Sequence, residues 1–281
     1  MASTIDRSDV EAATARIAGR VRRTPVLEPG PGAFGAAALI LKLELLQYTG
    51  SFKTRGAFSK MLASDVGPAG VITASGGNFG QAVAFAAHEL GYAAEVFVPN
   101  TSPPIKAERI RARGASVTIV PGVFDEAWTA MEERAVETGA VVMHPFDQPE
   151  VAAGQGSIAL ELEEQVPDAD TVLVAVGGGG LIAGIAAGLE GRMRVVAVEP
   201  VSCPALFAAR EAGEPVQVEV GGLAVDSLGP KRIGDIAFDV TSRWVDRLVQ
   251  VDDDDILDAQ RALWHETRLI AEPGGAAALA A

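Results

Sequence analysis

The sequence predicts an α/β protein of two domains, each a mostly parallel twisted sheet flanked by helices. Three observations carry the prediction. Short strand patterns alternate with helical ones along nearly the whole chain. The strand patterns are apolar on both faces, which suits a parallel sheet covered by helices rather than a half-solvated antiparallel one. Two sheets accommodate these strands better than one sheet of roughly ten.

The elements follow in order. Residues 9–21 read as a helix, with Val10, Ala13, Ile17 and Val21 on one face and Ser8 as its candidate cap. Residues 24–27 and 39–44 read as strands, and a helix is expected to begin near Lys53. Strands over 70–74, 94–99, 116–120 and 141–144 then alternate with helices over 81–90, 104–113 and 124–138. Pro103 and Pro104 sit where a helix tolerates proline, at its first turn. A second set follows: helix 157–164, strand 171–176, helix 181–189, strand 194–198, helix 204–212, strand 248–251 and a last helix over 254–269. Asp252, Asp253, Asp254 and Asp255 complement the dipole at the start of that last helix. Trp128, Trp244 and Trp264 read as packing residues.

Composition excludes several function classes. The 281 residues are 48% apolar and 21% charged, a globular balance. A formal net charge of -14 argues against nucleic acid or an anionic membrane as partner, because both require a basic surface. One cysteine, Cys203, permits no internal disulfide and points to a reducing, cytoplasmic setting. Met1 to Asp6 shows no basic stretch followed by an apolar run, so no leader is expected. No apolar run reaches the ~20 residues of a membrane span.

Three segments carry chemistry. Thr49-Gly50-Ser51 leads into Phe52-Lys53-Thr54-Arg55-Gly56, which places one lysine at a helix start. A cation there opposes the macrodipole, and Arg55 adds a second positive charge. Both effects favour the free amine, which can bind an aldehyde as an imine. Gly177-Gly178-Gly179-Gly180 follows an apolar strand and opens a helix, where bare N–H groups suit a phosphate. Its spacing matches neither the dinucleotide fingerprint nor the P-loop, so a phosphate monoester fits best. Ser75-Gly76-Gly77-Asn78 sits in the equivalent place after another strand, with donors for a carboxylate and an amide able to reach a phenolate oxygen. An aldehyde, a phosphate and an amino acid together describe pyridoxal phosphate and its substrate. His144 reads as a satisfied interior histidine, and the three histidines do not cluster with Cys203 as a zinc site would require.

The chain resembles the serine/threonine dehydratase group of fold type II pyridoxal-phosphate enzymes. Matching segments run in order through Arg23-Thr24-Pro25, Lys42-Leu43-Glu44, Ser51-Phe52-Lys53, Ser75-Gly76-Gly77-Asn78, His144-Pro145-Phe146-Asp147 and Ala153-Gly154-Gln155-Gly156. They continue through residues 177–180, Glu199-Pro200 and Glu272-Pro273-Gly274-Gly275. The resemblance implies that Lys53 carries the cofactor and Phe52 packs near its ring. It implies that Asn78 contacts the ring hydroxyl, that Gly177, Gly178, Gly179 and Gly180 bind the phosphate, and that Glu272 lies at the cofactor. Ser75, Gly76, Gly77 and Asn78 would take the substrate carboxylate. Residues 1–65 and 148–281 would form the large cofactor-binding domain, and residues 66–147 a small mobile domain that closes on substrate over an interdomain cleft. A homodimer is implied in the same way.

Departures from the pattern refine the expectation. Phe79 stands where the group usually has histidine. Gly76 stands where related racemases carry a proton-transferring serine, which tilts the reading toward elimination. The relatives' cation site pairs the acid at Glu199 with a second acid where this chain has Ala205, so no metal is expected. The pattern also predicts some thirty to forty residues beyond Ala281, roughly one further strand facing the pyridine nitrogen, and no amino-acid-binding regulatory domain. The expected activity is deamination of L-threonine or L-serine to a 2-oxo acid and ammonia. A related lyase acting on 3-hydroxyaspartate or phenylserine, β-replacement, and a catalytically silent cofactor-binding protein are the alternatives.

Overall fold

The computed structural model describes residues 4–35 and 38–281. Met1, Ala2 and Ser3, read above for a leader, lie outside the described residues.

Helix α1 (Arg7–Ile17) is capped by Asp6 rather than Ser8. The Asp6 carboxylate accepts from the N–H groups of Ser8 and Asp9, while Asp9 accepts from that of Asp6. Strands β1 (Val26–Leu27) and β2 (Leu41–Lys42) pair antiparallel, with Val26 opposite Lys42. They are shorter than the sequence pattern because Thr24 and Glu44, at its ends, turn into the ionic cluster that surrounds α2 (Lys53–Ala63).

The first parallel sheet comes next. Its elements are β3 (Val71–Ala74), α3 (Asn78–Leu90), β4 (Ala94–Pro99), α4 (Pro104–Arg111), β5 (Ser116–Val120), α5 (Phe124–Thr138) and β6 (Val141–Val142). The strand order is β5-β4-β3-β6, all parallel, with Ala74 opposite Phe97 and Val98 opposite Ile119. Crossover helices cover it, as parallel pairing requires.

The second sheet is built from α6 (Pro149–Gln165), β7 (Thr171–Ala175), α7 (Gly180–Leu189), β8 (Arg194–Pro200), α8 (Ala205–Ala212), α9 (Val225–Leu228), α10 (Asp235–Trp244) and β9 (Arg247–Val251). Its order is β7-β8-β9, again all parallel. Helices α11 (Asp253–Thr267) and α12 (Pro273–Ala276) end the chain, and Asp252 caps α11 as the acidic run predicts.

Helices α6 and α10 differ from expectation, and the short α9 and α12 lie where no helix was expected. Helix α6 begins at Pro149 and absorbs the glycines at 154 and 156. A Cβ on Gly154 would stand 2.8 Å from the Arg55 carbonyl oxygen, and one on Gly156 would stand 2.5 Å from that of Gly184. Those glycines let α2 and α7 close on α6, a tertiary reason that outweighs their poor helix propensity. Helix α10 lies in a span that the sequence pattern left unassigned.

One core cluster joins α1, α6, α7 and α10 to β7 and β8 around Ile158, Val174, Ile182 and Val195. A second joins α2 to the first sheet through Phe58, Met61, Val83 and Val96. Each such side chain contributes about 1.5–3 kcal/mol by leaving water. Trp264 is 52% exposed, with the Arg268 guanidinium over its ring, so its packing role is only partial. Trp128 stacks on Phe124 and meets the edge of His144. Among the described residues, no helix is long and apolar enough to cross a membrane.

Candidate active site

Lys53 is the first residue of α2. Its Nζ donates to the Pro145 carbonyl oxygen at 2.8 Å. The amine lies 5.2 Å from the centre of the Phe52 ring and 5.7 Å from that of Phe79. Among the described residues, no carboxylate hydrogen-bonds to it. Burial pushes its pKa from 10.5 down to about 8, while the charge of Glu272 opposes that fall.

Arg55 is not the cause. Its guanidinium is fully buried and bonds both oxygens of Glu44, at 2.9 and 2.8 Å, and both oxygens of Glu161, at 2.6 and 3.0 Å. Lys42 joins this cluster through Glu161 and Gln165. Two cations face two carboxylates, so the pairing neutralises Arg55 and anchors the first turn of α2 to α6. Desolvation therefore supplies what the sequence reading attributed to the charge of Arg55.

Gly177, Gly178, Gly179 and Gly180 lie between β7 and α7, and all four are buried. Among the described residues, their N–H groups find no protein acceptor. Buried N–H groups are rarely left unpaired, so this cradle is built for an anion. The need for glycine comes from behind the loop. A Cβ on Gly178 would stand 2.4 Å from the Phe146 ring, and one on Gly179 would stand 2.4 Å from the Ala237 Cβ. Gly179 also has φ +89°, a left-handed conformation that side chains resist.

The second loop opens α3. Ser75 Oγ accepts from the Gly77 N–H at 3.3 Å, and the N–H groups of Gly76 and Asn78 are unpaired among the described residues. Asn78 Nδ2 donates to Glu272 Oε1 at 2.7 Å, which joins the start of α3 to the start of α12. A Cβ on Gly76 would meet the Ser102 hydroxyl at 2.9 Å, whereas one on Gly77 would meet nothing within 4 Å.

The turn at residues 144–147 is the part that sequence reasoning undervalued. His144 Nδ1 accepts from the N–H groups of Phe146 at 3.3 Å and Asp147 at 2.8 Å. Burial pushes the His144 pKa down to about 4, so the ring is neutral and its proton is assigned to Nε2. Pro145 meets Lys53, and Phe146 backs the glycine cradle. Asp147 accepts from the N–H groups of Asp235 and Ile236, both at 3.1 Å, and so caps α10. The only signal in the sequence was the motif itself, because each contact partner is distant along the chain.

Glu199 is fully buried at the end of β8, and its carboxylate accepts from the N–H groups of Leu206 at 2.7 Å and Phe207 at 2.9 Å. Burial raises its pKa to about 7. Its oxygens serve the first turn of α8, where residue 205 is alanine. Among the described residues, no three His, Cys, Asp or Glu side chains are grouped to hold a metal.

The residues fit pyridoxal phosphate. A half-buried amine with a lowered pKa is available for the aldehyde, and four N–H groups unpaired among the described residues are available for the phosphate. The Ser51 hydroxyl, two residues before Lys53, is buried with no hydrogen-bond partner.

Comparison with known proteins agrees. Residues 17–281 match the family described as pyridoxal-phosphate dependent enzyme. The L-threonine ammonia-lyase of Thermotoga maritima is 38% identical over 248 residues, which cover 86% of this chain and 62% of that protein. The chain spans about half the length of several other curated relatives, at 48%. Maize serine racemase superposes with a TM-score of 0.94 at 33% identity, covering 99% of this chain and 86% of that one. The processed form of threonine deaminase isoform 2 from Solanum lycopersicum superposes with a TM-score of 0.90 at 32% identity, covering 97% of this chain and 81% of that one. The chain belongs to the pyridoxal-phosphate dependent enzymes, and its cofactor is pyridoxal 5'-phosphate.

Proposed function

We propose that this protein dehydrates and deaminates a β-hydroxy amino acid, L-threonine or L-serine, to a 2-oxo acid and ammonia. The observation that carries the reading is the environment of Lys53, an amine held between two aromatic rings with its pKa lowered to about 8. An amine in that range is a competent base near neutral pH. The names of the relatives supply the substrate class.

Bound pyridoxal phosphate supplies the electron sink that lets a substrate Cα proton leave. Lys53 would hold the cofactor aldehyde, and its Nζ would be the base that takes that proton. Phe52 and Phe79 keep water from the amine. Gly177, Gly178, Gly179 and Gly180 hold the phosphate on their N–H groups. Asn78 serves the ring hydroxyl, oriented by Glu272. Ser75, Gly76, Gly77 and Asn78 take the substrate carboxylate. Residues 66–147 act as a small mobile domain that closes over the cleft against residues 1–65 and 148–281. The same reading includes a homodimer working in the cytoplasm.

Racemization is the second reading, favoured by the likeness to maize serine racemase. Gly76 argues against it, because it has no side chain to deliver a proton to the opposite face of Cα.

Visible absorbance tests the proposal directly. The loaded protein should show an imine band that changes on adding L-threonine, with release of ammonia and 2-oxobutanoate and no D-threonine or allo-threonine. A band that is unchanged by every β-hydroxy amino acid would overturn it.

A further inference from the structure

We infer that Asp147 is a positioning residue that fixes the separation between the Lys53 amine and the glycine cradle. The inference rests on reading residues 177–180 as the phosphate site, and it adds a residue to that site that touches no ligand.

The geometry is a closed chain of contacts. Pro145 holds Lys53 Nζ at 2.8 Å. The next residue, Phe146, backs the cradle: a Cβ on Gly180 would meet its Cα and carbonyl oxygen, each at 2.9 Å. Asp147 then bonds the first two N–H groups of α10 through its two carboxylate oxygens, each at 3.1 Å. Gly234, which precedes α10, returns to the cradle by donating its N–H to the Gly178 carbonyl oxygen at 3.1 Å. A Cβ on Gly234 would stand 2.7 Å from Asp147 Oδ1, so the carboxylate lies directly against this backbone. Ala237 in the first turn of α10, and Ile233 just before it, close on Gly179 from the same side.

The cradle is thus pressed between the 144–147 turn and the start of α10, and Asp147 ties those two walls together. The same turn carries the acceptor that holds Lys53. A rigid cofactor that reaches both anchors at once demands a fixed span between them. A small error in that span weakens binding, because the phosphate cannot seat while the aldehyde is in reach.

The experiment compares two ligands on the full chain stripped of cofactor: pyridoxal phosphate, and pyridoxal, which lacks the phosphate. Imine absorbance gives each affinity. Asp147→Ala is expected to weaken pyridoxal phosphate about tenfold while changing pyridoxal less than about twofold. Asp147→Asn, which keeps one of the two acceptor oxygens, should show a smaller loss of about threefold, again confined to pyridoxal phosphate. Equal losses for both ligands, or no loss for either, would overturn the inference. Where the alanine variant fails to fold, Asp147→Asn alone decides: a loss confined to the phosphate-bearing ligand supports the positioning role, and an equal loss or none rejects it. If the parent protein itself binds both ligands alike, the phosphate reading of the cradle fails instead.

Discussion

The Lys53 amine donates its hydrogen bond to the carbonyl oxygen of Pro145, 2.8 Å away, and, among the described residues, to no acid. A carbonyl satisfies the amine without demanding that it be charged. The pKa is therefore free to fall under desolvation, with Glu272 as the opposing charge.

This arrangement has a stability consequence in the cofactor-free protein. The folded pKa, about 8, lies below the unfolded 10.5, so between those values the unfolded chain binds more protons. Stability should rise with pH across that window, and the cost is fully present below it. Lys53→Met should flatten the rise and stabilise the cofactor-free protein at pH 7 by on the order of 2 kcal/mol, while abolishing ammonia release. Urea titrations at several pH values check both statements.

Arg55→Leu should cost about 3 kcal/mol, because it leaves the Glu44 carboxylate largely buried without a cation and Glu161 with Lys42 alone. Arg55→Lys should recover little, because a single ammonium cannot make the paired bonds to both acids. Denaturant midpoints measure the loss. Activity should fall with it, since α2 carries Lys53.

The two glycine loops should respond differently to alanine. Gly178→Ala drives a Cβ to 2.4 Å from the Phe146 ring, and overpacking of this kind costs about 1–3 kcal/mol. Cofactor affinity should fall as well. Gly77→Ala meets nothing within 4 Å and should leave stability within about 0.5 kcal/mol of the parent. Its effect should be on KM for the amino acid, because the new methyl enters the space beside the unpaired N–H groups. Melting curves and substrate titrations separate the two variants.

Glu199 titrates near pH 7 in the folded chain and near 4.5 when unfolded. Between those values the folded state holds the extra proton. Stability should therefore fall as pH rises through that window and level off above it. Glu199→Gln should remove this dependence. A parent whose melting temperature is flat or rising from pH 4.5 to 7, after the contributions of other groups are matched in the variant, would contradict the assignment.

Much of this was written locally. The alternation of short apolar strands with helices fixed the class, because burial on both faces leaves its mark on consecutive residues. Lys53 and the two glycine loops stood out for a similar reason: each sits in a short run of neighbours that opens a helix. Helix α10, the early start of α6 and the exposure of Trp264 did not stand out, since each depends on what a distant segment places against it.

The sequence by itself determined the element order, the fold class and the chemical parts of the site, for these reside in residue type and spacing. Tertiary structure alone decided why the Lys53 amine is tuned, what Arg55 is for, and how Pro145, Phe146 and Asp147 bind anchor to cradle. The physical reason is range. Periodicity and propensity act over a few residues, whereas desolvation, ion pairing and close backbone approach depend on partners brought together only when the chain has folded.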